Sequence, residues 1–203
     1  MAVPRPATLA VTALLLLVTA PASAQEKERR GFIGLGIGPS APFGSFAEAS
    51  TDGRGGRAKP GYTDTFLNVG YRLRERWGVA AAFSYSEYVM RDGGDDDWWQ
   101  VAGIVAGPMY SLRLNARTAL DLKAMLGTIV LTPVIDSYET DDGVASGLAV
   151  DVRAAVRFDV FRRWAVFAEA GLQKSSGTPF PSGLRNDYGA LISGFGIAFR
   201  PTW

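Results

Sequence analysis

The run LAVDVRAAVRFDV, residues 148–160, places Asp151, Arg153, Arg157 and Asp159 at alternate positions among apolar side chains. Successive side chains of a strand point to opposite faces, so all four charges share one face, opposite a Val-rich one. Such a face either meets water or lies inside a closed space, where it survives only by ion pairing. Catalytic readings are narrow. The 203-residue chain contains no histidine and no cysteine, which removes Ser–His–Asp hydrolysis, histidine metal sites and thiolate chemistry. No Ser–Lys or carboxylate-only set converges, so the expectation is a protein that is not an enzyme and holds no cofactor. The stretch Gly34-Leu35-Gly36-Ile37-Gly38 lacks the third glycine and the βαβ setting of a dinucleotide fingerprint.

Two polar stretches remain. Asp92, Asp95, Asp96 and Asp97, with Glu139, Asp141 and Asp142 in the next long loop, offer hard oxygen donors of the kind that bind Ca²⁺ or Mg²⁺. Solvated loop charge is the plainer reading, so this is a weak cation site and no resident metal is expected. Arg54, Arg57, Lys59 and Arg185 could contact phosphate groups. A net charge of +1 argues neither for nucleic acid nor for a polyanionic partner, and no nucleic-acid partner is expected.

The elements that carry these residues recur eight times. Alternating segments cover 31–39, 62–73, 77–90, 98–114, 117–132, 144–160, 163–175 and 187–200. β-branched and aromatic residues alternate with Gly, and no helical stripe persists. LRER, NAR and FRR make short links, whereas the intervening connections are long and polar. Short turns at one end and long loops at the other are the pattern of outer-membrane barrels. Residues 1–24 read as a signal peptide, with Arg5, an apolar run and Ala22-Ser23-Ala24 before Gln25. Residues 25–203 then form one barrel domain. No later stretch is apolar for long enough to cross a membrane as a helix.

Composition alone leaves a soluble β-barrel and a transmembrane one. Parity separates them. Strand five divides into Leu120, Leu122, Ala124, Leu126, Thr128 and Val130 against Asp121, Lys123, Met125, Gly127 and Ile129. Strands one, three, seven and eight set large apolar residues against a face of mostly Gly, Ala and Ser. Small residues suit the interior of a narrow eight-stranded ring better than a face in water. The charges nearly balance: Arg72, Lys123, Arg153 and Arg157 against Asp121, Asp151, Asp159 and Glu169. The expected fold is therefore an all-β, eight-stranded antiparallel up-and-down transmembrane barrel with a charge-paired lumen. Strand four divides poorly, and Pro108 suggests a bulge there.

Trp77, Trp164, Phe199 and Trp203 gather at the short-turn end, Trp98 and Trp99 with Tyr62, Tyr85, Tyr88 and Tyr188 towards the other. Two such belts match aromatic girdles. The C-terminal run LISGFGIAFRPTW, with Leu191, Phe195, Ile197, Phe199 and Trp203 in alternation, resembles the last strand of outer-membrane barrels. The whole exported chain is similar to the small OmpA/OmpX-type barrels. That resemblance implies recognition by the barrel-assembly machinery, a bacterial outer-membrane location, and lipid and lipopolysaccharide as surroundings for a monomer. It implies no active site. The expected role is non-enzymatic: membrane integrity, surface interaction or adhesion through the long loops. The alternatives are a narrow, low-conductance pore and a soluble lipocalin-like carrier of an apolar ligand.

Overall fold

The computed structural model describes residues 30–48, 57–90, 97–134, 144–176, 178–179 and 185–201. The residues 1–24 read as a signal peptide lie outside these, as do Arg54, Asp92, Asp95, Asp96, Glu139, Asp141, Asp142 and Trp203.

Each expected segment becomes a strand of one closed antiparallel barrel. In chain order these are β1 (Gly31–Pro42), β2 (Gly61–Arg72), β3 (Trp77–Val89), β4 (Trp98–Arg113), β5 (Thr118–Val134), β6 (Ala145–Phe161) and β7 (Trp164–Ser175). A two-residue pair, β8 (Thr178–Pro179) and β9 (Arg185–Asn186), decorates the last long loop. The eighth barrel strand, β10 (Gly189–Phe199), pairs with β7 on one side and closes on β1 on the other. Closure leaves no sheet edge, and every neighbour is a hairpin partner except the β1–β10 seam.

The faces divide as parity requires. On β6, Leu148, Val150 and Val152 point outward, with Leu148 74% exposed, whereas Asp151 and Arg153 are buried inside. Ile33, Leu35, Ile37, Leu122, Leu126, Val166, Leu172, Phe195 and Ile197 continue the outer apolar surface around the ring. β4 is more regular than its sequence suggests. Trp99, Val101, Val105, Met109 and Ser111 all face in, and its register with β3 is unbroken past Pro108. The ladder to β5 passes over Gly107 and Pro108 and resumes in the same register at Met109. No bulge forms there, because proline removes a donor without adding a residue.

The irregularities fall elsewhere. Phe66 is an extra residue in β2, and both neighbours register it as a shift, between Gly34 and Gly36 on β1 and between Thr65 and Leu67 against β3. Phe66 and Leu67 are consecutively exposed, and this reverses the parity of β2. Thr63 and Thr65 therefore share the lumen with Asn68 and Arg72. A second extra residue, Val160, sits beside the β6–β7 turn.

The Gly-rich inner faces of β1 and β10 do not leave empty space. Phe167 from β7 lies across them: a Cβ at Gly196 would stand 2.5 Å from its Cζ, and one at Gly36 would stand 3.2 Å away. A Cβ at Gly196 would also collide with the backbone carbonyl of Leu35. Gly196→Ala is thus expected to lower stability by about 1–3 kcal/mol, the usual range for overpacking. Urea unfolding in micelles measures this, and Phe167→Leu in the same chain should restore little of it, since Leu35 contributes backbone rather than side chain.

Candidate functional site

Strand pairing brings the interior charges together in layers. The central layer is held by Arg153, which donates from Nε and Nη2 to both oxygens of Asp151, at 2.8 and 2.7 Å, and from Nη1 to Glu169 Oε1 at 3.0 Å. A guanidinium fork fits a carboxylate in this bidentate way, whereas an ammonium could supply only a point charge. Lys123 Nζ donates to Glu169 Oε2 at 3.3 Å and to Asn68 Oδ1 at 2.8 Å. Asn68 Nδ2 returns a bond to the same Glu169 oxygen at 3.1 Å, and Gln173 Nε2 donates to Asp151 Oδ2 at 3.0 Å. Four strands, β2, β5, β6 and β7, are tied by this one cluster.

Towards the short-turn end, Arg157 Nη1 meets Asp121 Oδ2 at 2.9 Å, and Ser111 Oγ donates to the other Asp121 oxygen at 2.6 Å. The Phe32 ring lies between the layers, with the Arg157 guanidinium 4.7 Å and the Lys123 ammonium 5.6 Å from its centroid. Such cation–π contacts are strengthened by exclusion of water. Nearest the turns, half-buried Asp159 is ion-paired with Arg200. Arg72 is buried and donates to the Glu75 carbonyl at 3.3 Å. All eight residues expected in the lumen network therefore face inward, and Arg200 joins them as a fifth cation.

The long-loop end is closed by aromatic rings. A short 3₁₀ turn, Gly44–Phe46, follows β1 and drops Phe46 into the mouth, where it is fully buried. Its ring stands 5.2 Å from Tyr88, 5.1 Å from Tyr188 and 6.0 Å from Trp99. Backbone bonds fasten the plug from both sides: Phe43 N–H to the Gly189 carbonyl at 2.8 Å, and Ala58 N–H to the Phe46 carbonyl at 2.9 Å. Beneath it the hydroxyls of Ser40, Tyr88 and Tyr188 form a chain, at 2.5 and 3.1 Å.

This arrangement corrects the expected outer girdle. Trp99, Tyr88 and Tyr188 are buried in the mouth, because each has inward parity, whereas half-buried Trp98 and exposed Tyr62 remain outside. At the other end Trp77 and Trp164 are exposed, Trp164 in edge contact with Phe199 at 5.4 Å. Leu191, Phe195, Ile197 and Phe199 line the outer face of β10 in the expected alternation. Of the acidic loop residues, Asp97 is described and stands half-buried at the entry to β4. Sequence reasoning missed Phe46, Asn68, Phe32 and Arg200, and it placed Gln173 on the inner face without a part in the network.

The fold is that of the small eight-stranded outer-membrane barrels. Neisserial surface protein A superposes with a TM-score of 0.62 over 84% of this chain and 97% of its own, at 12% identity. The attachment invasion locus protein Ail of Yersinia pestis, in complex with the heparin analogue sucrose octasulfate, gives a TM-score of 0.50 over 85% of this chain and 99% of its own, at 16% identity. No protein-family model matches the chain, and no curated protein sequence does.

Glu169 compensates two buried cations at once. Glu169→Gln is expected to destabilise the barrel by about 3–5 kcal/mol, the cost of leaving a buried charge uncompensated. Adding Lys123→Met should recover part of that loss, and a double-mutant cycle in urea reads the coupling.

Proposed function

We propose that the protein is a non-enzymatic, non-conducting barrel of the bacterial outer membrane that acts through its long outer loops, in surface interaction or adhesion. The observation that carries this reading is a lumen occupied, among the described residues, by paired charges and packed aromatic rings. Ion-paired layers occupy the centre, and Phe46, Tyr88, Trp99 and Tyr188 cap the mouth. A filled interior leaves the loops as the part of the molecule free to vary its contacts. The apolar outer surface supports a place in lipid, since turning β6 over would set Arg153 and Arg157 in the bilayer at about 2–4 kcal/mol each near the midplane. The names of the two similar proteins, a surface protein and an attachment invasion locus protein, agree with a surface role.

Export follows from the N-terminal signal peptide, cleaved before Gln25. The alternating apolar row on β10 supplies the signal for the barrel-assembly machinery, and the monomer is surrounded by phospholipid and lipopolysaccharide. Among the described residues, ion pairs stand where a pore would need its path and where a carrier of apolar ligands would need its pocket, which weighs against both alternatives.

In planar bilayers the wild type and Phe46→Ala are both expected to be silent, because the Arg153 layer still blocks the path beneath the plug. Discrete unitary conductance from the wild type would replace this reading with a pore. Refolding should require detergent micelles, with boiled and unboiled samples migrating differently on a denaturing gel. Folding in plain buffer without that difference would overturn the membrane reading.

A further inference from the structure

The short-turn end carries a charge pattern that the lumen does not use. Arg30, Arg74, Arg76, Arg113, Arg117, Arg162 and Arg163 are all exposed there, on the three turns, at the end of β4 and at the entry to β1. Among the described residues the turns themselves, 73–76, 114–117 and 162–163, contribute one carboxylate, Glu75, and no lysine. The arginines surround the barrel rather than marking one side, since the turns join β2 to β3, β4 to β5 and β6 to β7.

Apolar side chains are interleaved with them. Leu73 and Leu114 are exposed on the same turns, and Phe161, the last residue of β6, is 71% exposed beside the third. Immediately towards the barrel lie two outward aromatic pairs, Trp77 with Tyr110 at 5.1 Å and Trp164 with Phe199 at 5.4 Å. Arg76 Nη1 donates to the Tyr110 hydroxyl at 3.4 Å, so one guanidinium is tethered at the level of the aromatic row. Arg163 directly precedes Trp164. Amphipathic rings settle at the boundary between hydrocarbon and headgroups, which puts the guanidiniums at the depth of the phosphates. Arginine is the side chain whose planar fork matches a phosphate in two bonds.

We infer that this collar binds the phosphodiester headgroups of anionic phospholipid in the membrane leaflet facing the periplasm. The inference rests on the membrane reading above. A bilayer surrounds the barrel on every side, as the arginines do, and it accommodates Leu73, Leu114 and Phe161, which a soluble polyanion would leave in water.

The test reconstitutes the protein into phosphatidylcholine bilayers containing a trace of spin-labelled lipid and reads the motionally restricted fraction. Spin-labelled phosphatidylglycerol is expected to be restricted in preference to spin-labelled phosphatidylcholine by about fivefold or more, the effect of one basic residue close to an anionic headgroup. The variant Arg74→Gln/Arg76→Gln/Arg162→Gln/Arg163→Gln should lose most of that preference, as should the wild type in high salt. Equal restriction of both labels by the wild type, or an undiminished preference in the variant, overturns the inference. The restricted phosphatidylcholine signal reports insertion independently. Its presence without a phosphatidylglycerol preference sinks the collar alone, and its absence sinks the membrane reading with it.

Discussion

The fork between Arg153 and Asp151 is the contact around which the interior is organised. Inside a closed eight-stranded ring a charged side chain cannot turn away to find water, so its partner must come from another position of the same inner wall. Asp151 and Arg153 stand two residues apart on β6 and satisfy much of each other. The remainder is passed to Glu169 and Gln173 on β7, then through Glu169 to Lys123 on β5 and Asn68 on β2. Strands that are not neighbours in the sheet are thereby tied through its centre. The same requirement dictates which way the sheet is rolled, since the reverse roll would carry these groups outward and leave the Val face of β6 inside.

Much of this was legible in the sequence because a strand has a period of two and a narrow ring has one small-residue face. Asp121, Lys123, Asp151, Arg153, Arg157 and Glu169 were readable on that basis alone. Asn68 shares the parity of Arg72 and was passed over because it is uncharged; what Phe66 hides is the inward direction of Thr63 and Thr65, since an extra residue leaves no mark in composition. Tyr88 follows Ser84 and Ser86 at the same parity, so its inward direction was available from the alternation. Its aromatic character at a strand end pointed to the girdle instead. Trp99 was masked by Trp98 beside it, one of the pair facing each way. Arg200 continues the inward row past Ala198, one residue beyond the last strand, where alternation is no longer counted. Phe46 belongs to a loop, and no periodicity predicts which loop residue folds back into a mouth.

The two halves of the interior solve different problems. The short-turn half and the centre are ionic, with Phe32 as a ring shared by two cations. The loop half is aromatic and aliphatic, with Val101, Ile129 and Leu131 buried below Phe46 and Trp99. Phe46 is pinned by backbone bonds on both sides, so the first long loop begins and ends on the barrel rim whatever its intervening residues are. Variation in that loop is thus mechanically separate from the wall that displays it.

The seam between β1 and β10 joins the two ends of the chain, the pairing with the greatest separation in sequence and the greatest loss of chain entropy on contact. Along the middle of the seam the inner side is lined by Gly34, Gly36, Gly194, Gly196 and Ala198, with the bulkier Phe32 and Ile192 at its two ends. In that middle stretch neither strand brings a bulky inward side chain of its own, and Phe167 from β7 covers the two backbones. The bare inner backbone in the middle of this junction leaves little steric resistance to the pairing whose entropic cost is highest.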